Sequence, residues 1–188
     1  MIRAWLGTAL LAVLALPVAR ATLERAMIAH MLVQIPLLAI AGALITTAVS
    51  PAWKARIAAW NRSGIAGTLL AVIASSWWMI PRALDSALAS PEAELLKFVS
   101  LPLLVGAPAT LSWSALSRLG RGFVIANVLP MWAVVGWMYV AAPSRVCTYY
   151  LVDQQVTAGT GLLWLSVVAG GIACAAAFRS SIPHVSST

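Results

Sequence analysis

Apolar stretches close to 20 residues long recur from one end of this chain to the other, and short polar segments separate them. A helix rising ~1.5 Å per residue needs about 20 residues to cross a bilayer core of about 30 Å. Six such stretches fall at residues 2–18, 27–49, 63–80, 95–116, 122–142 and 156–178. Only helices and closed barrels satisfy their own backbone hydrogen bonds in lipid, and stretches of this length fit helices. The expected fold is therefore all-α, a polytopic membrane protein built as a bundle of about six transmembrane helices. With 9% charged residues against about 25% in soluble domains, and a mean hydropathy of +0.93, most of the surface faces lipid. No stretch is long and polar enough for a separate soluble domain, so residues 1–188 read as one transmembrane domain.

The first stretch, "MIRAWLGTALLAVLALPVARA", also has the basic start, apolar middle and A-x-A ending of a cleavable signal peptide. It is expected to be the first membrane helix.

Charge sets an orientation. Starting with the N-terminus in the cytoplasm, the inner segments hold Arg3, Lys54, Arg56, Arg62, Arg118, Arg121 and Arg179, and no acid. The outer segments hold Arg20, Arg25, Arg82, Lys97 and Arg145 with Glu24, Asp85, Glu92, Glu94 and Asp153. The basic excess on the inner side follows the positive-inside rule, and an even number of helices puts both termini in the cytoplasm. This suits a multi-pass protein of a bacterial inner membrane. The formal net charge of +7 does not point to nucleic acid, because the basic residues are scattered and set topology instead. Trp5, Trp53, Trp60, Trp77, Trp78 and Trp113 lie near the ends of segments, where indole rings anchor at the headgroups.

Soft donors collect at the outer end. Met27, His30, Met31 and Gln34 follow the i, i+3, i+4, i+7 pattern and share one helix face. Met79 ends the third segment on the same side, Met138 lies near the outer end of the fifth, and Cys147 is in the outer loop. Thioether, thiolate and imidazole form a set that selects Cu(I), and a polar residue inside a membrane marks a functional site by default. The competing account is structural, since methionine fills apolar gaps and a lone bundle histidine commonly bonds to a neighbouring helix. Haem is not expected, because His184 lies in the cytoplasmic tail and leaves His30 without a second imidazole. Cys147 and Cys174 fall at opposite ends of the bundle, too far apart for a disulfide. Asp153, Gln154 and Gln155 precede the last helix and read either as helix-start chemistry or as a polar clasp for a partner. In "ATLERA", Thr22 reads as a helix cap. Small residues Gly159, Gly161, Gly170 and Gly171 offer grooves for helix packing.

Three elements, "AHMLVQIPLLAIAG", "WWMIPRALDSAL" and "DQQVTAGTGLLW", resemble in order the CtaG-like membrane proteins associated with cytochrome c oxidase assembly. His30 and Met31 match a His-Met pair, Trp78 and Pro81 match a tryptophan and a proline, and Asp153, Gln154, Gln155, Gly159 and Trp164 match the last element. The likeness spans about residues 24 to 170, and family histidines are absent where Met27 and Met79 stand. It implies an integral membrane protein that assists assembly or copper loading of a respiratory haem-copper oxidase or related copper enzyme. The donors would be His30, Met27, Met31 and Met79, with Cu(I) as the ion they would hold, and Cys147, Asp153, Gln154, Gln155 and Trp78 would form a polar or partner surface. The alternative is a non-catalytic accessory subunit packed in a larger membrane complex. No nucleophile–base pair or phosphate loop is visible, so the chain does not read as an enzyme. Transport ranks last, because no ionisable relay is evident in the membrane segments.

Overall fold

The computed structural model describes residues 2–181, with side chains through Arg179. Nine helices follow in order among the described residues. They are α1 (Ile2–Ala15), α2 (Pro17–Leu23), α3 (Met27–Ala48), α4 (Pro51–Trp60), α5 (Ile65–Met79), α6 (Pro81–Ala89), α7 (Pro91–Trp113), α8 (Arg118–Ala141) and α9 (Val152–Ser181). The fold is all-α and that of a multi-pass membrane protein. Four helices, α3, α7, α8 and α9, are long and apolar enough to cross a bilayer. The two remaining expected spans are shorter than a full crossing and bent at one end. The chain turns 73° between α1 and α2, and 88° between α4 and α5. Pro17, which opens α2, cannot donate into the end of α1, so the first span stops at Ala15. Before α5 the chain reverses through Gly64, whose φ of +73° lies in the left-handed region that favours glycine.

Proline also shapes α3 and α7. Each contains a wide π-helical turn, at His30–Gln34 and at Leu101–Gly106. Pro36 has no N–H and would crowd the carbonyl of Leu32 in a regular turn. The wider turn absorbs this, with Ile35 N–H donating to the His30 carbonyl. Pro102 lies within the second such turn, which closes by Ala107 N–H donating to the Pro102 carbonyl.

Glycines then bring these two helices together. A Cβ on Gly42 would sit 2.2 Å from the Pro102 carbonyl oxygen, and one on Gly106 would sit 1.9 Å from the Ala39 carbonyl oxygen. The α3–α7 crossing is therefore backbone against backbone, the close approach that small residues permit in membranes. Gly136 of α8 and Gly159 of α9 face each other in the same reciprocal way. Gly159 and Gly161 thus serve packing within the chain, Gly161 against Leu32, while Gly171 has nothing within 4 Å.

The acids expected outside gather at one end of the bundle. Glu24 and Glu94 pair with basic partners there, and Asp85 accepts from Thr148 N–H at 2.6 Å. At the opposite end Asn61 bonds Ser112 at 2.8 Å and the Gly67 N–H at 3.0 Å, and Arg121 bonds the Trp113 carbonyl. Trp5, Trp53, Trp60, Trp77 and Trp113 are exposed on the bundle surface, as anchors should be. Trp78 is not an anchor: it is 2% exposed and donates from Nε1 to Ser100 Oγ at 2.9 Å. Thr22 is not a cap either, since it lies inside α2 and donates to the Val18 carbonyl.

Candidate functional site: a buried ionic network around His30

The first turns of α3, the α-helical start at Met27 and the π turn after it, present Met27, His30, Met31 and Gln34 inward together, and all four are buried. Facing them is Lys97 of α7, with no exposed surface at all although its helix neighbours Leu95, Leu96 and Val99 are exposed. Lys97 therefore belongs to the membrane span and not to an outer segment, and its placement corrects the expectation that the bundle interior lacks ionisable groups.

The ammonium nitrogen lies 2.7 Å from Glu24 Oε1, 3.0 Å from His30 Nε2 and 3.1 Å from Gln34 Oε1. An ammonium has three N–H donors, so these three acceptors use all of them. Gln34 Nε2 donates in turn to Glu24 Oε1 at 3.0 Å. On the other edge of the imidazole, Nδ1 lies 2.8 Å from the Tyr150 hydroxyl, which donates to the Glu24 carbonyl at 3.0 Å. The Glu24 carbonyl can only accept, so the Tyr150 proton is committed to it and His30 Nδ1–H must be the donor to Tyr150. The Nε2 lone pair is then the acceptor for Lys97. The assignment is neutral imidazole with the proton on Nδ1, beside an ammonium and a carboxylate. Every polar atom of His30, Lys97 and Gln34 that this scheme requires has a partner, as burial demands.

A second ion pair closes the mouth of the network. Arg20 of α2 pairs with Glu94, one turn above Lys97 on α7. The four charges, Arg20, Glu24, Glu94 and Lys97, sum to zero, the arrangement expected where desolvation makes a lone charge costly. Tyr150 lies just outside the spans. Burial, with the Glu24 carboxylate next, raises its hydroxyl above the ordinary range, so it remains a protonated donor.

Beside this polar core lies a sulfur-rich one. Met27, Met31 and Cys147 belong to one buried cluster with Tyr139, Tyr150, Leu84, Ala158 and Leu162, and Met79 packs against it. Met138, the other methionine expected at the outer end, is exposed and lies outside this cluster. Burial, reinforced by the Asp85 carboxylate, pushes the Cys147 thiol up to about 12. Cys147 and Cys174 are both free.

The expected polar surface is smaller than the sequence suggested. Gln155 is buried, its Oε1 accepting from Val146 N–H at 2.8 Å and its Nε2 donating to the Tyr139 carbonyl at 3.0 Å. It staples the 142–151 loop to α8. Cys147 and Trp78 are also interior, which leaves Asp153, exposed in the first turn of α9, and the half-buried Gln154. His184 lies outside the described residues.

Sequence reasoning placed His30 and Gln34 correctly but missed Glu24, Lys97 and Tyr150. The signal for Lys97 was present, a single basic residue inside "ELLKFVS" with apolar neighbours on both sides. No family model, curated protein or solved structure matches this chain.

Proposed function

We propose that this protein is a non-catalytic membrane component that assists assembly of a respiratory haem-copper oxidase or related copper enzyme, acting as a docking body and not through a metal on His30. The partner class rests on the resemblance of the three quoted elements to the CtaG-like proteins. The mode of action rests on one observation: the Lys97 ammonium holds the His30 Nε2 lone pair. Imidazole, carboxylate and amide oxygen surround that ammonium as ligands would surround a metal ion, so a side chain supplies the cation. A copper ion at the same place would meet a fixed positive charge about 3 Å away and no free lone pair. His30 does not fit a copper site in this arrangement.

A second reading keeps Cu(I) but moves it. Met27, Met31 and Cys147 share one buried cluster with the partly buried Met79 packed against it, and thioethers with a thiolate suit the reduced ion. Such a site would require the Cys147 proton to leave. One experiment separates the readings. Protein purified under reducing conditions is loaded with Cu(I), and the stoichiometry is measured in wild type, His30→Ala and Cys147→Ala. The docking reading expects no stoichiometric copper, together with co-purification of large oxidase subunits from native membranes. Stoichiometric copper lost only in Cys147→Ala establishes the second reading. Copper lost in His30→Ala refutes both.

A further inference from the structure

Helix α4 buries none of its residues, and the spans on either side determine where it lies. Only Val49 and Ser50 separate its start from the end of span α3. At its other end Asn61 bonds Ser112 at 2.8 Å, beside Trp113, where span α7 ends. Helix α5 runs alongside α7, with Trp78 against Ser100 and Gly67 against Ser112, and α4 turns 88° from α5. The helix therefore lies across the ends of two spans, in the plane where hydrocarbon gives way to headgroups. Its exposed side chains suit that level. Trp53 and Trp60 are 58% and 89% exposed, and indoles favour the headgroup layer.

The Arg56 guanidinium lies over the Trp53 ring, 5.1 Å from its centroid, and is exposed. Contact with the ring holds it in place without using any of its five N–H donors, and among the described residues it makes no hydrogen bond or ion pair. Arg121, over the Trp113 ring at the same end, differs: its Nε and Nη2 already donate to the Trp113 and Ser114 carbonyls. Lys54 and Arg62 flank Arg56, and no acid occurs in the chain between Glu24 and Asp85 to offset the three charges. We infer that α4 is a binding surface for anionic phospholipid headgroups of the phosphatidylglycerol type. The phosphate takes paired N–H groups of Arg56, the geometry a guanidinium offers and an ammonium does not. Lys54 and Arg62 make the surface selective, because a zwitterionic headgroup brings its own cation to a face that holds only cations. This surface lies at the end of the bundle opposite the His30 network and does not depend on the partner proposed above.

The test is native mass spectrometry of the detergent-purified full chain, titrated with phosphatidylglycerol, phosphatidylethanolamine or phosphatidylcholine of matched acyl chains. Phosphatidylglycerol is expected to bind roughly tenfold or more tightly than the other two. Arg56→Gln weakens it roughly fivefold, the factor for one basic residue at an anionic surface, and leaves the others unchanged. The triple variant Lys54→Gln, Arg56→Gln, Arg62→Gln abolishes the preference, and because α4 buries no residue these variants keep the folded bundle. Arg82→Gln, exposed at the acidic end, keeps the preference. A second arm uses the bilayer itself. In nanodiscs the Trp60 fluorescence, taken as the difference between wild type and Trp60→Phe, is quenched by lipids brominated near the headgroup, and more by phosphatidylglycerol than by phosphatidylcholine. Equal affinity for the three lipids overturns the inference, as does a preference that survives in the triple variant or is lost in Arg82→Gln. So does a Trp60 signal that neither brominated lipid quenches, which places α4 in water.

Discussion

The side-chain nitrogen of Lys97 lies 3.0 Å from Nε2 of His30, and neither residue has any surface exposed. The contact joins α7 to α3 next to a π turn in each helix, at the end of the bundle where the acids collect. An ammonium, an imidazole, a carboxylate and an amide thereby form one closed unit that ties the end of the short helix α2 and the 142–151 loop to α3 and α7.

Breaking one side of this unit leaves the other side charged and unpaired. Lys97→Met is expected to destabilise the protein by about 3–5 kcal/mol, the usual cost of removing one partner from a buried pair. Glu24→Gln should act in the same direction. The double variant should cost less than the sum of the two, because it removes both charges together. Thermal or denaturant unfolding in bicelles measures all three.

Tyr150 makes two hydrogen bonds through a single oxygen, one to His30 and one to the Glu24 carbonyl. Tyr150→Phe should therefore lower stability by about 1–3 kcal/mol. Tyr149→Phe, at an exposed position with no hydroxyl partner in the network, should change it by less than ~0.5 kcal/mol. Parallel melting curves provide the comparison.

The α3–α7 crossing has no room for a side chain at Gly42 or Gly106, since the nearest atoms are backbone. Gly42→Val or Gly106→Val should prevent accumulation of folded protein in membranes. Gly171→Val, with open space around it, should not. Monodisperse yield after size-exclusion chromatography distinguishes these outcomes.

Cys147 lies in the loop before α9 with its thiol pushed up to about 12 by burial and the Asp85 carboxylate. A thiol raised in the folded state favours folding fully below its unfolded value near 9, and that contribution is lost as pH rises from there through about 12. In a Cys174→Ala background, maleimide should leave Cys147 unmodified at pH 8 in folded protein and label it after unfolding. Labelling of the folded protein at the rate of an exposed thiol contradicts the burial.

Much of this architecture can be read from the sequence. The spacing of Met27, His30, Met31 and Gln34 predicts one shared face, and all four are buried together even though the turn holding them is wider than an α-helix. Charge patterning also places Glu24, Asp85 and Glu94 at one end. Lys97 misleads because a basic residue near the edge of an apolar stretch is normally topological, and only the tertiary fold shows that Glu24, Gln34 and His30 converge on it. Trp78 misleads for a related reason: an indole at the end of a segment suits the interface, but Ser100 on α7 supplies its Nε1–H with an interior partner. The six expected spans become four long helices and two bent pairs because Pro17 and Gly64 redirect the chain, and hydropathy averaging does not register direction. Tyr150 reaches His30 from 120 positions away, a distance no local pattern reports.

Nitrogen-15 NMR of selectively labelled histidine tests the central claim most directly, because the chain has only two histidines and His30→Ala assigns the signal. The predicted result at pH 7 is a neutral His30 ring protonated at Nδ1, with Nε2 accepting a hydrogen bond and its resonance unmoved by Cu(I). A ring protonated at Nε2, or an Nε2 resonance that shifts when Cu(I) is added, would contradict the account.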